Sequence, residues 1–208
     1  MSRGRFITLE GGEGAGKSTQ AALLADALRE RGLRVLLTRE PGGTAGAEAI
    51  RSLLLAPDHD WGAQAEALLF AAARADHVAG AIAPALAEGR WVVCDRFLDS
   101  SRAYQGGPLA DADILALHAV GSGGLLPDCT VLLQADEQAV AVRLLARDGD
   151  AADRIGGRPA DYHRAVAARF RAFAANEPER FVTIDAGGTI AEVHARIMAA
   201  LAPLLVAA

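Results

Sequence analysis

The chain has 208 residues, 51% of them hydrophobic, and a formal net charge of -5. This length and apolar content predict one sizeable core with a small lid, in a single domain over residues 1–208. The acidic balance excludes a generally basic surface for nucleic acid. Since the sequence has no long apolar run and no secretory-signal pattern, we expect a soluble, cytoplasmic protein without a membrane partner.

Cysteine and histidine positions do not suggest a metal centre. Cys94 and Cys129 lie in apolar segments rather than in a C-x-x-C spacing, which predicts buried, reduced thiols. The five histidines lack ligand spacing, and we interpret them as ordinary surface or core residues.

Short apolar segments alternate along the chain with longer segments of helical periodicity. The predicted strands are RFITLEG, LRVLLTRE, RWVVCDR, CTVLLQ and RFVTID. Helices are expected at about 17–31, 45–55, 63–88, 111–121, 137–147, 160–175 and 189–204, and Pro84 is expected to kink or break the third. This order predicts an α/β fold of three layers, with a parallel five-stranded sheet flanked by helices. Ligands bind beyond the carboxyl ends of such strands, so the polar residues there are the site candidates.

The first strand runs into the segment LEGGEGAGKST, which fits the pattern G-x-x-x-x-G-K-[ST] between a strand and a helix. In this motif backbone N–H groups surround phosphate oxygens, the lysine reaches the β- and γ-phosphates, and the serine hydroxyl ligates Mg²⁺. A serine-capped glycine turn is common in α/β proteins, but strand, spacing, lysine and serine together favour phosphate binding. The predicted ATP phosphate-binding residues are Gly11, Gly12, Glu13, Gly14, Ala15, Gly16, Lys17, Ser18 and Thr19.

Residues elsewhere narrow the class of nucleotide protein. Regulatory GTPases read guanine with an N-K-x-D loop, but the only asparagine is Asn176, in ANEPE. Asp95 ends the strand WVVCD and is a candidate Walker-B-type partner of Mg²⁺, direct or through water. Motor ATPases follow that aspartate with a glutamate, whereas Arg96 follows here. The planar fork of an arginine suits an anionic substrate better than a nucleophilic water.

Three further segments carry polar candidates. TREPGG follows the second strand and forms a sharp turn that holds Arg39 and Glu40 beside the first loop. Phe70 and Arg74 share one face of a helix, a spacing that is by itself more typical of core packing with an outward-pointing arginine. DSSRAYQGG supplies polar loop residues beyond Asp95, and alone it is weak evidence.

Six segments, taken together and in their order along the chain, resemble the thymidylate kinase family. They are LEGGEGAGKSTQ, TREPGG, LLFAAARADHV, CDRF, SSRAYQGG and DRI. The resemblance covers residues 6 to about 158, and TIDA at 183–186 resembles the late strand on the adenine side. It implies a P-loop nucleoside-monophosphate-kinase fold with a short lid at about 147–158. It also implies phosphate transfer from ATP to dTMP with Mg²⁺, commonly by a homodimer.

The resemblance assigns roles around the nucleoside. Phe70 resembles the residue that stacks on thymine, and Arg74 resembles the donor to the O4 edge of the base. Ser101 would be a polar contact to the base. Tyr104 resembles the residue that crowds the sugar 2′ position and thereby favours deoxyribose.

The remaining assignments surround the sugar and the acceptor phosphate. The resemblance implies that Glu13 approaches the 3′-hydroxyl and that Arg96 holds the acceptor phosphate. Glu40 and Pro41 would shape the floor of this pocket and Gln105 its rim.

The predicted reaction needs cations rather than a general base, because the acceptor phosphate, with a second pKa near ~6, is already mostly a dianion at neutral pH. Lys17 and Mg²⁺ would neutralise the donor, and Arg96 the acceptor. The variable loop positions contain no basic residue, so we expect a further cation from the lid segment RLLARDGDAADRIGGR, Arg154 first and Arg147 second. Gly156 and Gln134 depart from the residues that relatives often carry.

Two other functions stay open at this point. In a deoxyribonucleoside kinase the acceptor would be a sugar hydroxyl, and Glu13 or Glu40 would serve as base. A non-catalytic regulator would bind ATP without transferring phosphate.

Overall fold

The computed structural model describes residues 3–136 and 155–206. Within them, five parallel strands form one sheet in the order β2-β3-β1-β4-β5. The strands are β1 Phe6–Glu10, β2 Val35–Arg39, β3 Trp91–Asp95, β4 Cys129–Gln134 and β5 Phe181–Asp185. The predicted α/β fold is confirmed, and every strand lies inside its predicted segment.

Helices cover both faces of this sheet. Their bounds are α1 Lys17–Glu30, α2 Ala45–Leu55, α3 Ala63–His77, α4 Ala83–Ala87, α5 Leu98–Gln105, α6 Asp111–Ser122, α7 Ala160–Asn176 and α8 Ile190–Val206. A π-helical turn, Val78–Ile82, joins α3 to α4. The helix predicted at 137–147 lies outside the described residues.

Alternate side chains of the strands build a core on each face. Ile7 and Leu9 pack with Leu24 of α1 and Ile197 of α8. Phe6 belongs to a second cluster, with residues of the π-helical turn, α4 and α6 on the opposite face. Because successive strand residues point to opposite faces, this division produces the three layers that were predicted.

One helical prediction is confirmed and one is wrong. The segment expected at 63–88 is helical from residue 63 to 87, and the π-helical turn Val78–Ile82 interrupts the α-helix just before Pro84, where a kink or break was expected. The segment LDSSRAYQ, interpreted as a loop, forms α5. Its start is capped from a distant part of the sequence, because the carboxylate of Glu10 accepts from the N–H groups of Phe97 (2.8 Å) and Ser100 (3.3 Å).

Two predictions from composition can be compared with the described residues. Cys94 and Cys129 are buried free thiols, as expected. No helix in residues 3–136 or 155–206 combines the length and hydropathy that crossing a bilayer requires.

The strand register brings three carboxyl ends together. Asp95 of β3 lies beside Leu9 of β1 on one side and beside Arg39 of β2 on the other. The loops that leave these strands therefore begin at one edge of the sheet.

Candidate active site

A cavity of about 600 Å³ opens at this edge, between the ends of β1, β2 and β3 and helices α3 and α5. Most of the residues predicted for phosphate and nucleoside binding line it: Glu13, Gly14, Gly16, Lys17, Ser18, Thr19, Glu40, Pro41, Phe70, Arg74, Asp95, Arg96, Ser101, Tyr104 and Gln105. The sequence interpretation missed Arg51, Leu55, Phe97 and Ile155 as lining residues. Gly11 and Gly12 are not among the lining residues, although their carbonyl oxygens accept from Arg96 and Lys17, and Ala15 lines a neighbouring groove.

The phosphate loop, residues 11–18, leaves the first turn of α1 open. Gly16 precedes the helix in the left-handed conformation (φ 91°), and no side chain caps the helix start. At Gly11 (φ 142°) a Cβ would lie 2.5 Å from the carbonyl oxygen of Leu133, so only glycine fits. Unpaired N–H groups at a helix start form an anion site.

Lys17 points back into this loop, and its Nζ donates to the carbonyl oxygen of Gly12 at 2.6 Å. The side chain is buried, and burial, followed by the charge of Arg96, lowers its pKa to about 8. A bound phosphate would favour the charged amine by supplying an opposite charge.

Ser18 and Asp95 form a pair of hard oxygen ligands. The Ser18 hydroxyl donates to Asp95 Oδ2 at 2.5 Å. Asp95 Oδ1 is buried and has no hydrogen-bond partner among the described residues. One hydroxyl and one carboxylate fit Mg²⁺, whose other positions are filled by water and substrate phosphates. In the described parts of the chain, no cluster of three or more His, Cys, Asp or Glu residues forms a protein-only metal cage.

Arg96 is the one non-glycine residue with positive φ (69°) in the described ranges. Its Nη1 donates to the carbonyl oxygen of Gly11 at 3.2 Å and to Ser100 Oγ at 3.1 Å, and its Nη2 donates to Glu13 Oε1. Burial by itself lowers the pKa of Arg96, but interactions with Tyr104, Glu13 and nearby carboxylates raise it overall. Backbone strain at a charged residue in a cavity is typical of a functional position.

Glu10 holds the turn that contains Arg96 and was not predicted as a site residue. Besides the two backbone N–H groups it caps, its carboxylate accepts from Ser100 Oγ at 2.6 Å. Burial, followed by the charge of Asp99, raises the pKa of Glu10 to about 8. A signal was present in the sequence, since this acid closes an otherwise apolar strand next to the glycines.

Arg74 is fixed on two of its three nitrogens. Nε donates to Glu40 Oε2 at 2.8 Å, and Nη2 donates to Ser101 Oγ at 2.8 Å and to the carbonyl oxygen of Phe97 at 3.2 Å. No acceptor for Nη1 occurs in the described residues. With 3% of its surface exposed, Arg74 does not extend outward into solvent but lines the cavity wall.

Gln105 offers the opposite hydrogen-bonding group. Its Nε2 donates to Glu66 Oε1 at 2.9 Å, while its buried Oε1 has no partner in the described part of the chain. We call the region lined by Phe70, Arg74, Ser101, Tyr104 and Gln105 the base pocket. Among the described residues, Arg74 Nη1 has no acceptor and Gln105 Oε1 has no donor.

His77, interpreted as an ordinary histidine, lies in a layer behind this pocket. Its Nδ1 is 3.1 Å from Glu40 Oε1 and its Nε2 is 2.7 Å from Thr38 Oγ1. At Gly43 (φ 90°) a Cβ would lie 2.4 Å from His77 Nε2, so glycine is required for this contact.

Helical spacing could have identified the supporting residues. Glu66, Phe70, Arg74 and His77 are four, four and three residues apart, so they share one face of α3. Of these four residues, only Phe70 and Arg74 were predicted as site residues.

Of the predicted lid, residues 155–158 are described, and Arg147 and Arg154 lie outside the described residues. Ile155 lines the cavity. Arg158 donates to Glu66 Oε2 and to the Tyr162 hydroxyl, both at 2.5 Å. Arg158 therefore ties this segment to α3.

A second groove, of about 350 Å³, lies on the other side of the phosphate loop. It is formed by Thr19 and Gln20 of α1 and by Ala186, Gly188, Thr189 and Ile190 after β5. Gln20 donates to the carbonyl oxygen of Ile190 at 2.9 Å, and its buried Oε1 has no partner among the described residues.

The family model for thymidylate kinase matches residues 9–197. The thymidylate kinase of Rhizorhabdus wittichii is 60% identical over 205 residues, covering 97% of this chain and 99% of that protein. The thymidylate kinase of Rhodopseudomonas palustris is 53% identical over 204 residues, covering 96% and 89%. The crystal structure of thymidylate kinase from Ehrlichia chaffeensis has a TM-score of 0.77 and 32% identity, and covers 96% of this chain and 98% of that chain. Since the family match spans most of the sequence and the fold is shared, the chain belongs to the thymidylate kinase family.

Proposed function

We propose that this protein is an ATP-dependent kinase that transfers the γ-phosphate of ATP to dTMP and releases dTDP and ADP. The observation that carries the proposal is a single cavity that connects the phosphate loop and Arg96 with the base pocket. A nucleoside monophosphate bound in this cavity would have its base in the base pocket and its phosphate beside Arg96 and the phosphate loop.

The base pocket is complementary to thymine. Thymine presents an acceptor at O4 and a donor at N3–H, which match Arg74 Nη1 and Gln105 Oε1. Cytosine presents a donor and an acceptor at the same positions, so each hydrogen bond would be replaced by a repulsive contact. A site built to pair specific polar groups discriminates strongly against the reversed pattern.

Charge compensation is the main task of the site during transfer. Two polyanions must approach to about 3–3.5 Å in line, and no base is needed because the acceptor is already ionised. Lys17 would leave the Gly12 carbonyl for the donor phosphates, while the exposed edge of Arg96 would hold the acceptor. Arg147 and Arg154 remain the candidates for a further cation.

Magnesium is the cofactor that we propose for this reaction. Ser18 and Asp95 would hold it, as their oxygen chemistry allows. When bound, it would offset negative charge on the donor phosphates. In this proposal the second groove, beside the start of α1, would receive the adenine base of ATP.

The proposed assembly is a homodimer in the cytoplasm. Helices α2, α3 and α6 pack side by side and leave large apolar side chains exposed, namely Leu53, Leu68, Leu115 and Val120. A second copy of the chain would cover such a face. The two reduced thiols suit a reducing compartment.

A coupled assay of ADP release tests the proposal with dTMP, dUMP, dCMP and AMP as acceptors. We expect a clear preference for dTMP in kcat/KM, and Lys17→Ala should lower kcat by at least about a hundredfold because a transition-state cation is lost. No preference for dTMP would reject the proposal.

Thymidine as acceptor tests the nucleoside-kinase alternative. Faster use of thymidine than of dTMP would select this alternative. The structure argues against it, because both candidate bases, Glu13 and Glu40, already accept hydrogen bonds from other side chains. Glu13 accepts from Arg96 and Tyr104, and Glu40 pairs with Arg74 and His77. ATP binding without transfer to any acceptor would instead select the regulator.

A further inference from the structure

Glu66 is a buried carboxylate that lies behind the base pocket and not in its lining. Only 4% of its side chain is exposed. Its Oε1 accepts from Gln105 Nε2 at 2.9 Å, and its Oε2 accepts from Arg158 Nη2 at 2.5 Å. Each oxygen of Glu66 therefore contacts a different donor.

This contact determines which end of the Gln105 amide faces Glu66. An ionised carboxylate only accepts hydrogen bonds, whereas a glutamine amide has one donor end and one acceptor end. Turning the amide over would place two oxygens against each other in a buried site, which is unfavourable. The NH₂ group thus stays on Glu66, and Oε1 is left over.

Arg158 supports the same arrangement from the other side. Its guanidinium compensates the charge of the buried carboxylate and occupies Oε2, so that Oε1 is directed to Gln105. Arg158 is itself held by Tyr162, whose hydroxyl donates to the carbonyl oxygen of Tyr104 at 2.7 Å. Residues from α3, α5 and α7 thereby fix one amide group.

We propose that Glu66 is a positioning residue that sets the pyrimidine specificity of the kinase by holding Gln105 with its oxygen free to accept from the base. The inference rests on the proposed function. It adds that selection of 4-oxo over 4-amino pyrimidines depends on a side chain that does not line the cavity. With the amide reversed, Arg74 and Gln105 would both present donors, and N3–H of thymine would lose its acceptor.

Glu66→Gln tests this. Arg158 can only donate, so the new amide would turn its oxygen to Arg158 and its NH₂ group to Gln105, which favours the reversed orientation of the Gln105 amide. We expect the ratio of kcat/KM for dTMP to that for dCMP to fall by about tenfold or more, as for loss of a buried hydrogen bond. The ratio of dTMP to dUMP should stay the same, because these bases share the same hydrogen-bonding edge. A purely structural role of Glu66 would lower all three values together.

Two further variants complete the test. In a Gln105→Leu background, Glu66→Gln should change the dTMP-to-dCMP ratio no further, since the residue it acts through is gone. Asp161→Asn is the matched control on α7, because it removes an exposed ion pair with Arg164 and leaves the contacts of Glu66, Arg158 and Gln105 in place, and its ratio should equal that of the wild type. Should Glu66→Gln not fold, Glu66→Asp keeps the charge but loses the reach to Gln105, and the same fall is expected.

A wild-type enzyme that prefers dTMP over dCMP, with a Glu66→Gln or Glu66→Asp variant that keeps the same ratio, would overturn the inference. A wild-type enzyme without that preference would contradict the proposed function instead. The two failures are therefore distinguishable.

Discussion

At the scale of single residues, the site holds its cations in place with groups that a substrate would displace. Lys17, the only lysine in the chain, is bound to a backbone carbonyl, and Arg96 is bound to Glu13. Both charged groups have little contact with solvent in the folded protein. Folding has therefore already removed much of their water, and a phosphate that binds them does not have to displace it. Such preorganisation strengthens interactions with developing charge.

Arg74→Lys separates recognition of the base from binding of ATP. Lysine keeps a positive charge beside Glu40 but lacks the planar fork that leaves Nη1 for a ligand. We expect KM for dTMP to rise by about tenfold or more, with KM for ATP nearly unchanged. Steady-state kinetics with each substrate varied in turn would measure this, and an equal loss for ATP would show that Arg74 does not serve the base pocket.

Glu10→Gln should stabilise the protein increasingly as pH rises. The pKa of Glu10 is raised from 4.5 to about 8 by burial and then by Asp99, so the folded state binds a proton that the unfolded state has released. Stability from this group is therefore full below pH 4.5 and is lost as pH rises towards about 8. Glutamine keeps the hydrogen-bonding shape without this loss.

The measurement is the thermal midpoint of both proteins between about pH 5 and about pH 8.5. The thermal midpoint of Glu10→Gln should exceed that of the wild type by a margin that grows across this range. Each kcal/mol of difference in the free energy of unfolding corresponds to about 2–4 °C. A constant difference at all pH values would show that Glu10 does not titrate there.

At the scale of elements, α5 matters most, because it carries Ser101, Tyr104 and Gln105. The helix is anchored by Asp99, which is fully buried and accepts from Arg102 (3.0 Å) and from both terminal nitrogens of Arg180 (2.6 and 2.9 Å). The same two arginines also bind Glu177 beyond α7, and Arg102 binds Asp111 of α6. This ion network ties the base pocket to β5, α6 and α7.

Asp99→Asn should destabilise the protein because two partly buried arginines, Arg102 and Arg180, lose one of the two carboxylates that they share. Removing one partner of a buried ion pair lowers the free energy of unfolding by about 3–5 kcal/mol. Because Arg102 and Arg180 are partly exposed, we expect a loss at the lower end of this range. Chemical denaturation would measure the change. Asp161→Asn removes a mostly exposed ion pair with Arg164 and should change stability by less than about 1 kcal/mol. Equal effects of the two variants would contradict a stabilising role of the network.

At the scale of the whole molecule, exposed apolar side chains on α2, α3 and α6 support the proposed self-association. Val120 of α6 has 89% of its surface exposed, and Leu68 of α3 has 54%. Val120→Asp and Leu68→Glu should shift the protein from dimer to monomer, because a charge would be buried at the contact. Sedimentation velocity would detect the shift.

Leu37→Glu is the matched control for that experiment. Leu37 is also exposed, but its neighbour Leu36 packs on the face of the sheet that carries α4 and α6, so Leu37 points to the other face. This variant should leave the dimer intact. A wild-type monomer at all concentrations would refute the proposed assembly.

Local patterns in the sequence determined the strands, most helix bounds and the phosphate loop, because each depends on neighbouring residues: apolar runs, helical spacing and glycines at fixed offsets. The resemblance to a family supplied the expected roles of Phe70, Arg74 and Arg96. Tertiary structure alone decided the parts that depend on distant residues. Glu10 caps α5 across 87 positions, Glu66 orients Gln105 across 39, and Asp99 joins Arg180 across 81. A buried polar group needs a partner, but the sequence does not say which one, because folding chooses it by bringing together the ends of strands and the faces of helices.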